Sequence, residues 1–152
     1  MPMPVLAFLM GVVVGLRAMT GPAAISWAAR LGWLPLGGTW LAFLGAAAAP
    51  YIATVIALAE IVNDKLPKTP SRKAPPAFAV RVLMGALCGY AIGTAGSPVV
   101  GLIAGAAGAV AGTLGGYEFR KGLAAAFGKD LPAALIEDVI AVAIAWWIAT
   151  RL

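Results

Sequence analysis

Long apolar runs alternate with short polar or charged stretches along this chain. Stretches rich in proline, glycine and charge separate the runs: KTPSRKAPP follows the first of them, AGSP the second and GKDLP the third. At about 1.5 Å per helical residue, each of four runs is long enough to cross a bilayer. These runs are residues 39–66, 77–95, 98–121 and 131–152. We predict an all-α polytopic transmembrane bundle, a single domain over residues 1–152.

The N-terminal apolar run is too short for a full crossing. Residues 5–19 precede the sequence TGP, and Thr20 and Pro22 have the character of an N-cap and a first-turn proline for a second short helix over residues 22–34. We therefore expect a re-entrant hairpin or a discontinuous helix here. The alternative is a short tilted span followed by an interfacial helix that is anchored by tryptophans, namely Trp27, Trp33 and Trp40.

Composition places the chain among membrane proteins and removes much familiar chemistry. Hydrophobic residues make up 62% of the chain and charged residues 11%. There is no histidine and Cys88 is the one cysteine, which excludes zinc sites, disulfides and Ser-His-Asp triads within one chain. We expect no cofactor, unless carboxylates bind a divalent metal.

The basic residues predict an orientation. Eight of the 11 fall on one face of the predicted bundle: Lys65, Lys68, Arg72, Lys73, Arg81, Arg120, Lys121 and Lys129. The positive-inside rule makes loops 65–76 and 121–131 cytoplasmic. Because these residues flank hydrophobic runs, the net charge of +5 indicates anionic lipids as partners and not nucleic acid. Lipid headgroup contacts are expected from Lys68, Arg72 and Lys73.

Two groups of carboxylates are candidate ion-binding sites. Glu60 and Asp64 lie one helical turn apart, flanked by Asn63, and Glu137 and Asp138 begin the last run at a similar depth. The two groups are expected to face each other across the bundle. Their expected counter-charges are Lys65, Arg81 and Arg120. This arrangement fits interhelical salt bridges, an ion or proton site, or a divalent metal held for phosphate chemistry.

Arg17, in GLRAMTGP, is a further candidate because it lies at the predicted break between two short helices. A guanidinium beside the N-terminus of a helix that Thr20 caps would form an anion site. The alternative is an interfacial arginine that extends toward water. We predict that Arg17 points into the bundle and pairs with a carboxylate, a group of backbone carbonyls or an anion.

Glycines recur at helical spacing in the second half of the chain, and a faint internal repeat accompanies them. The glycines at positions 85, 89, 93, 101, 105, 108, 112 and 116 form small-residue faces that predict close helix packing and, equally, a homo-oligomer. LMGVVVG at residues 9–15 is echoed by LMGALCG at residues 83–89. This similarity indicates a weak internal duplication, which is common in transporters.

Three elements together resemble a known family. GLRAMTGPAAISWAARLGW, ALAEIVNDKLPKTPSR and the late EFRKGLAAAF with ALIEDVIAV are similar to elements of a family of small bacterial integral membrane proteins catalogued as a domain of unknown function. The resemblance implies a multi-pass protein of the bacterial inner membrane. It points to Arg17, Glu60, Asp64, Lys65, Pro67, Glu137 and Asp138 but implies no activity.

These observations favour a small transporter or channel for a small solute, ion or lipid, since ionisable residues converge from several helices near a broken helix. One alternative is a membrane enzyme that acts on lipid phosphate through a carboxylate-bound divalent metal. The other is a non-catalytic membrane assembly protein held together by its glycine faces.

Overall fold

A computed structural model describes residues 2–34, 36, 40–64, 75–94, 96–128 and 130–152. Within these residues the chain is all-α, with six α-helices, one 3-10 turn and no strand. The helices are α1 Met3–Leu16, α2 Thr20–Arg30, α3 Ala49–Asp64, α4 Pro75–Gly93, α5 Pro98–Phe127 and α6 Asp130–Ala149. The 3-10 turn, Ala42–Gly45, precedes α3.

Three helix boundaries differ from the prediction by four residues or more. The first is the end of α2, which lies at Arg30 and not at residue 34. The run at residues 39–66 is not one long helix, because residues 40–48 form turns and α3 begins at Ala49, one residue before Pro50. Conversely, α5 continues past residue 121 to Phe127, where Gly128 ends it with a φ of 71°. Most of the predicted loop 121–131 is therefore helical, and Arg120 and Lys121 lie on α5.

Helix length and apolar composition together show which of the described helices could cross a membrane. Among the described residues, Pro98–Leu123 is the one helical segment both long enough and apolar enough to cross a membrane. The shorter apolar helices Met3–Leu16, Ala49–Glu60 and Phe78–Gly93 do not reach that length. The all-α prediction is confirmed, whereas the four-span arrangement stays a prediction.

Contacts between helices define their directions. Gly85 and Gly89 of α4 face Gly105 and Gly101 of α5, so these two helices are antiparallel. Gly11 of α1 faces Gly105, while Gly15 lies against Gly112 and Thr113, so α1 runs parallel to α5. It follows that α1 and α4, which carry the two copies of the faint repeat, run in opposite directions.

The first two helices form a hairpin. Met3, at the start of α1, lies against Gly96 in the turn between α4 and α5. After α2 the chain has returned toward the same end, because Trp40 contacts Tyr90 at a ring distance of 5.8 Å. Similarly, Trp33 contacts Trp146 at 5.5 Å, near the end of α6. The broken N-terminal segment is thus a helical hairpin whose tip, residues 17–19, lies at the opposite end.

Glycine explains how closely the central helices approach. A Cβ at Gly105 would lie 2.2 Å from the carbonyl oxygen of Gly85, and a Cβ at Gly11 would lie 2.1 Å from that of Gly105. Backbones at this separation leave no room for a side chain. The glycines in these contacts are therefore used within the chain. By contrast, Cβ positions at Gly115 and Gly122 face open space.

Candidate functional site

The hairpin tip is created by a local break in the helix. Leu16 ends α1, and Arg17 then takes an extended conformation with φ −144° and ψ 109°. Met19 precedes α2, and Thr20 is its first residue. Thr20 is buried, but it is not the N-cap that we expected, because the cap position falls on Met19 and no side chain caps the helix. The break exposes backbone N–H and C=O groups to partners from other helices.

Arg17 is fully buried at this tip. Its Nε and Nη2 donate to Oδ1 of Asp138, and its Nη1 lies 3.2 Å from Oε1 of Glu137. Nη1 also donates to the carbonyl oxygen of Leu16 at 3.2 Å. The guanidinium therefore faces two carboxylates of α6 and does not extend toward water. A buried arginine is tolerable only with such charged and hydrogen-bonded partners.

Arg81 of α4 reaches the same break from another direction. Its Nη1 donates to the carbonyl oxygen of Gly15 at 2.8 Å and to that of Val14 at 3.4 Å. These carbonyls belong to the last turn of α1, where oxygens lack partners within the helix. A positive charge there also complements the dipole of α1. Arg81 thus holds the C-terminus of α1 in addition to adding charge to the site.

Glu60 approaches the tip from α3. Its carboxylate interacts with the backbone N–H groups of Ala18 and Met19, and it lies within the electrostatic influence of Arg81 and Arg17. Its Oε1 is buried and has no hydrogen-bond partner among the described residues. The carboxylate therefore lies beside the positive end of α2, the favourable end for an anion.

Five predicted residues thus meet around one hairpin tip, and we call them the tip cluster: Arg17, Glu60, Arg81, Glu137 and Asp138. Its arrangement differs from the expected one. Glu137 and Asp138 pair with Arg17, which was not among the counter-charges expected for them, namely Lys65, Arg81 and Arg120. Arg17 points into the bundle, as predicted, and of the three kinds of partner predicted for it the structure shows carboxylates, so it belongs to the same cluster as Glu137 and Asp138.

The remaining predicted residues are placed by their helix alone or lie outside the described residues. Asn63 and Asp64 form the end of α3, and Arg120 lies on α5. Lys65, Pro67, Lys68, Arg72 and Lys73 lie outside the described residues. Sequence reasoning included the free backbone groups at this helix break, but it missed that the carbonyl oxygens of Val14 and Gly15 accept hydrogen bonds from Arg81.

An open groove lies next to the tip cluster, between α1, α5 and α6. Its volume is about 350 Å³. Apolar side chains and glycines line it, together with one carboxylate: Val12, Leu16, Ala111, Gly112, Gly115, Gly116, Phe119, Glu137 and Ile140. Glu137 thus belongs both to the groove wall and to the ion pair with Arg17.

The described residues hold no group of three or more carboxylate, cysteine or histidine side chains placed to bind one metal ion. Cys88 is a buried free cysteine. It lies against Gly21 at the start of α2. The contacts described at the hairpin tip are charge pairs and hydrogen bonds. No family model matches the chain, and neither the curated proteins nor the solved structures contain a match to it.

Proposed function

We propose that this protein is a transporter or channel that moves a small solute, ion or lipid across the bacterial inner membrane, with the tip cluster as its binding site. One observation carries the proposal: Arg17, fully buried at a hairpin tip in the first half of the chain, pairs with Glu137 and Asp138 of the second half. Ionisable residues buried in membrane proteins mark transport paths, and broken helices supply backbone partners for the substrate.

The arrangement of the two halves supports the same proposal. Among the described residues, the first half of the chain holds α1 to α3 and the second half α4 to α6, and α1 and α4 run in opposite directions. Inverted repeats of this kind are common in secondary transporters, whose binding sites lie between the repeats. The tip cluster combines Arg17 and Glu60 of the first half with three residues of the second.

The surface of the bundle supports a multi-pass membrane location. Large apolar side chains are exposed on α3, α4, α5 and α6, among them Val55 and Leu83, each 65% exposed, and Val139, which is 68% exposed. Soluble monomers rarely expose large apolar patches, so exposed apolar side chains on four helices favour a lipid environment. In the proposed arrangement these side chains face lipid.

Access to the hairpin tip tests the proposal. In a Cys88→Ala background, we expect a cysteine in place of Ala18, next to Arg17, to react with a charged, membrane-impermeant thiol reagent. The reaction is expected in spheroplasts and also in inverted vesicles, because a transporter exposes its site alternately to both sides. A cysteine at Ala141, whose exposure is 0%, is the control and should not react. If the cysteine at position 18 reacts from neither side of the membrane, the result would favour a closed assembly protein instead.

Orientation provides a second test. Ser71, which lies outside the described residues, and Gly128, which follows α5, belong to the two regions that we propose to be cytoplasmic. Cysteines at either position, again without Cys88, should react readily in inverted vesicles and only after lysis in spheroplasts. Opposite accessibility of the two positions would rule out two crossings between them.

Membrane lipids and a second copy of the chain are the proposed partners. Headgroup binding is assigned to Lys68, Arg72 and Lys73 from the sequence. Most of the glycines of α1, α4 and α5 pack against each other within the chain. Gly115 and Gly122 of α5 do not, so we propose them as the glycines that a contact between two copies would use.

A further inference from the structure

Every tryptophan of the chain lies at the end of the bundle opposite the hairpin tip. Trp27 contacts Tyr51 at a ring distance of 5.2 Å, which joins α2 to the start of α3. The ring contacts described above join the segment after α2 to α4 and α6 in the same way. We call this group the aromatic end, and its members are Trp27, Trp33, Trp40, Tyr51, Tyr90, Trp146 and Trp147.

Charged residues have the opposite distribution. Each of the six acidic residues lies in the half of its helix on the side of the hairpin tip: Glu60, Asp64, Glu118, Asp130, Glu137 and Asp138. Among the described residues, the charges at the aromatic end are those of Arg30 and Arg151. The rings of Trp40, Tyr51 and Trp146 are exposed. Exposed amphipathic rings with few charges match the boundary between lipid headgroups and hydrocarbon, where tryptophan and tyrosine are enriched in membrane proteins.

The distance from the aromatic end to the tip cluster is nearly the same along three helices. It is nine residues on α3 (Tyr51 to Glu60), nine on α4 (Arg81 to Tyr90) and eight on α6 (Asp138 to Trp146). At about 1.5 Å per residue, each separation corresponds to about 12 to 14 Å. Half of the hydrocarbon core of a bilayer is about 15 Å. Rings at the boundary of this core would therefore place the tip cluster close to its middle.

The helix α5 gives the same depth independently. Gly15, two residues before Arg17, lies against Gly112 and Thr113. These are the two central residues of α5, which has 30 residues from Pro98 to Phe127. Its segment Pro98–Leu123 is long and apolar enough to cross a membrane. Because the centre of a crossing helix lies near the centre of the bilayer, the hairpin tip lies near that centre as well.

We propose that the aromatic end binds the headgroup boundary of the outer leaflet, so that the α1–α2 hairpin is re-entrant and the tip cluster lies near the bilayer midplane. The inference rests on the membrane location in the proposed function and adds the depth of the site. With 14 residues, α1 is about 21 Å long, so from that boundary it passes the midplane but does not cross the membrane. The regions that we propose to be cytoplasmic adjoin helix ends on the side of the tip, so the aromatic end faces the periplasm.

The two ends of the hairpin test its re-entrant course. Pro2 precedes α1 and Arg30 ends α2, and both are exposed. Single cysteines at these positions, in the Cys88→Ala background, should both react with a membrane-impermeant thiol reagent in spheroplasts, and only after lysis in inverted vesicles. A cysteine at Gly128 is the control with the opposite pattern. If α1 crosses the membrane instead, positions 2 and 30 react from opposite sides.

Spin labels test the depth of the tip cluster. Single cysteines at Val99, Leu114 and Leu83, all exposed, carry the labels in purified protein that lacks Cys88, in liposomes of phosphatidylethanolamine and phosphatidylglycerol. Oxygen concentrates in the middle of a bilayer and a nickel chelate in water, so their relative effects on a label report its depth. The oxygen-to-nickel ratio should be highest at position 114, next to the centre of α5, and low at position 99, about 22 Å away along the helix. Position 83, two residues from Arg81 on α4, is the matched control on another helix and should equal position 114.

The outcomes separate this inference from the proposed function. Shallow labels at positions 83 and 114, or opposite accessibility of positions 2 and 30, would overturn the inference. Spin–spin broadening between labels at position 99 of two copies would overturn it in favour of a contact between copies at the aromatic end. If position 18 reacts from both sides while positions 83 and 114 are shallow, the transporter proposal stands and this placement is wrong. The expected depths without reaction at position 18 would retain the placement and remove the transport function.

Discussion

Replacing Arg17 by alanine is expected to destabilise the protein by about 3 to 5 kcal/mol, because the change leaves the buried carboxylates of Glu137 and Asp138 without their shared cation. For a chain of this size, the midpoint of thermal unfolding should fall by on the order of 10 °C. The measurement is tryptophan fluorescence of the purified protein in detergent during a temperature ramp. Replacement of the exposed Arg30 by alanine is the control and should leave the midpoint nearly unchanged.

A neutral version of the ion pair distinguishes lost charge pairing from lost packing. Combining Arg17→Met with Glu137→Gln and Asp138→Asn removes the three charges together, so it should be more stable than Arg17→Met alone. Arg17→Lys keeps the charge but loses the planar fork that serves Asp138 and Glu137 at once, and we expect an intermediate midpoint. If Arg17→Ala unfolds at the wild-type temperature, Arg17 does not hold the carboxylates in the way described.

Alanine at Gly105 should produce an effect of similar size through packing. Its Cβ would lie 2.2 Å from the carbonyl oxygen of Gly85 and 2.9 Å from the Cα of Gly89, so α4 and α5 must separate. Forced overpacking costs about 1 to 3 kcal/mol and occasionally more, and we expect the upper end here because the obstacles are backbone atoms that cannot change rotamer. The same temperature ramp measures the loss.

The control for Gly105→Ala lies on the same helix and should change stability in the opposite direction. A Cβ at Gly115 meets nothing within 4 Å, so alanine there only improves helix propensity, by about 0.8 to 1 kcal/mol. Destabilisation by both substitutions would show that α5 does not tolerate alanine in general. Stabilisation by both would mean that α4 and α5 are not in backbone contact at Gly105.

Local sequence signals predicted the break before α2 and the inward direction of the Arg17 side chain. GLRAMTGP combines a short apolar run with a charge and a proline, and neither charge nor proline continues a membrane helix without compensation. The bounds predicted for this helix, residues 22–34 with Thr20 as the cap, were wrong, because α2 begins at Thr20 itself and ends at Arg30. The glycine spacing similarly predicted close helix packing, since spacing alone decides which residues share a helical face.

Helix ends were less predictable where apolar residues continue across a boundary. Residues 40–48 are almost all apolar, so nothing in their hydropathy distinguishes the turns before α3 from a continued helix. Likewise the charges of Arg120 and Lys121 suggested a loop, but charge does not end a helix, and α5 continues until Gly128 adopts a positive φ.

The sequence by itself determined the helical class, the apolar character of the chain and the set of ionisable residues that need partners. It could not determine the pairing, because each carboxylate had several arginines and lysines within the reach of a helix bundle. Only the tertiary structure decided that Arg17 pairs with Glu137 and Asp138, that Arg81 holds the end of α1, and that Glu60 lies beside Ala18 and Met19. Those contacts depend on helix directions and crossing points, which are set by backbone packing between distant parts of the chain.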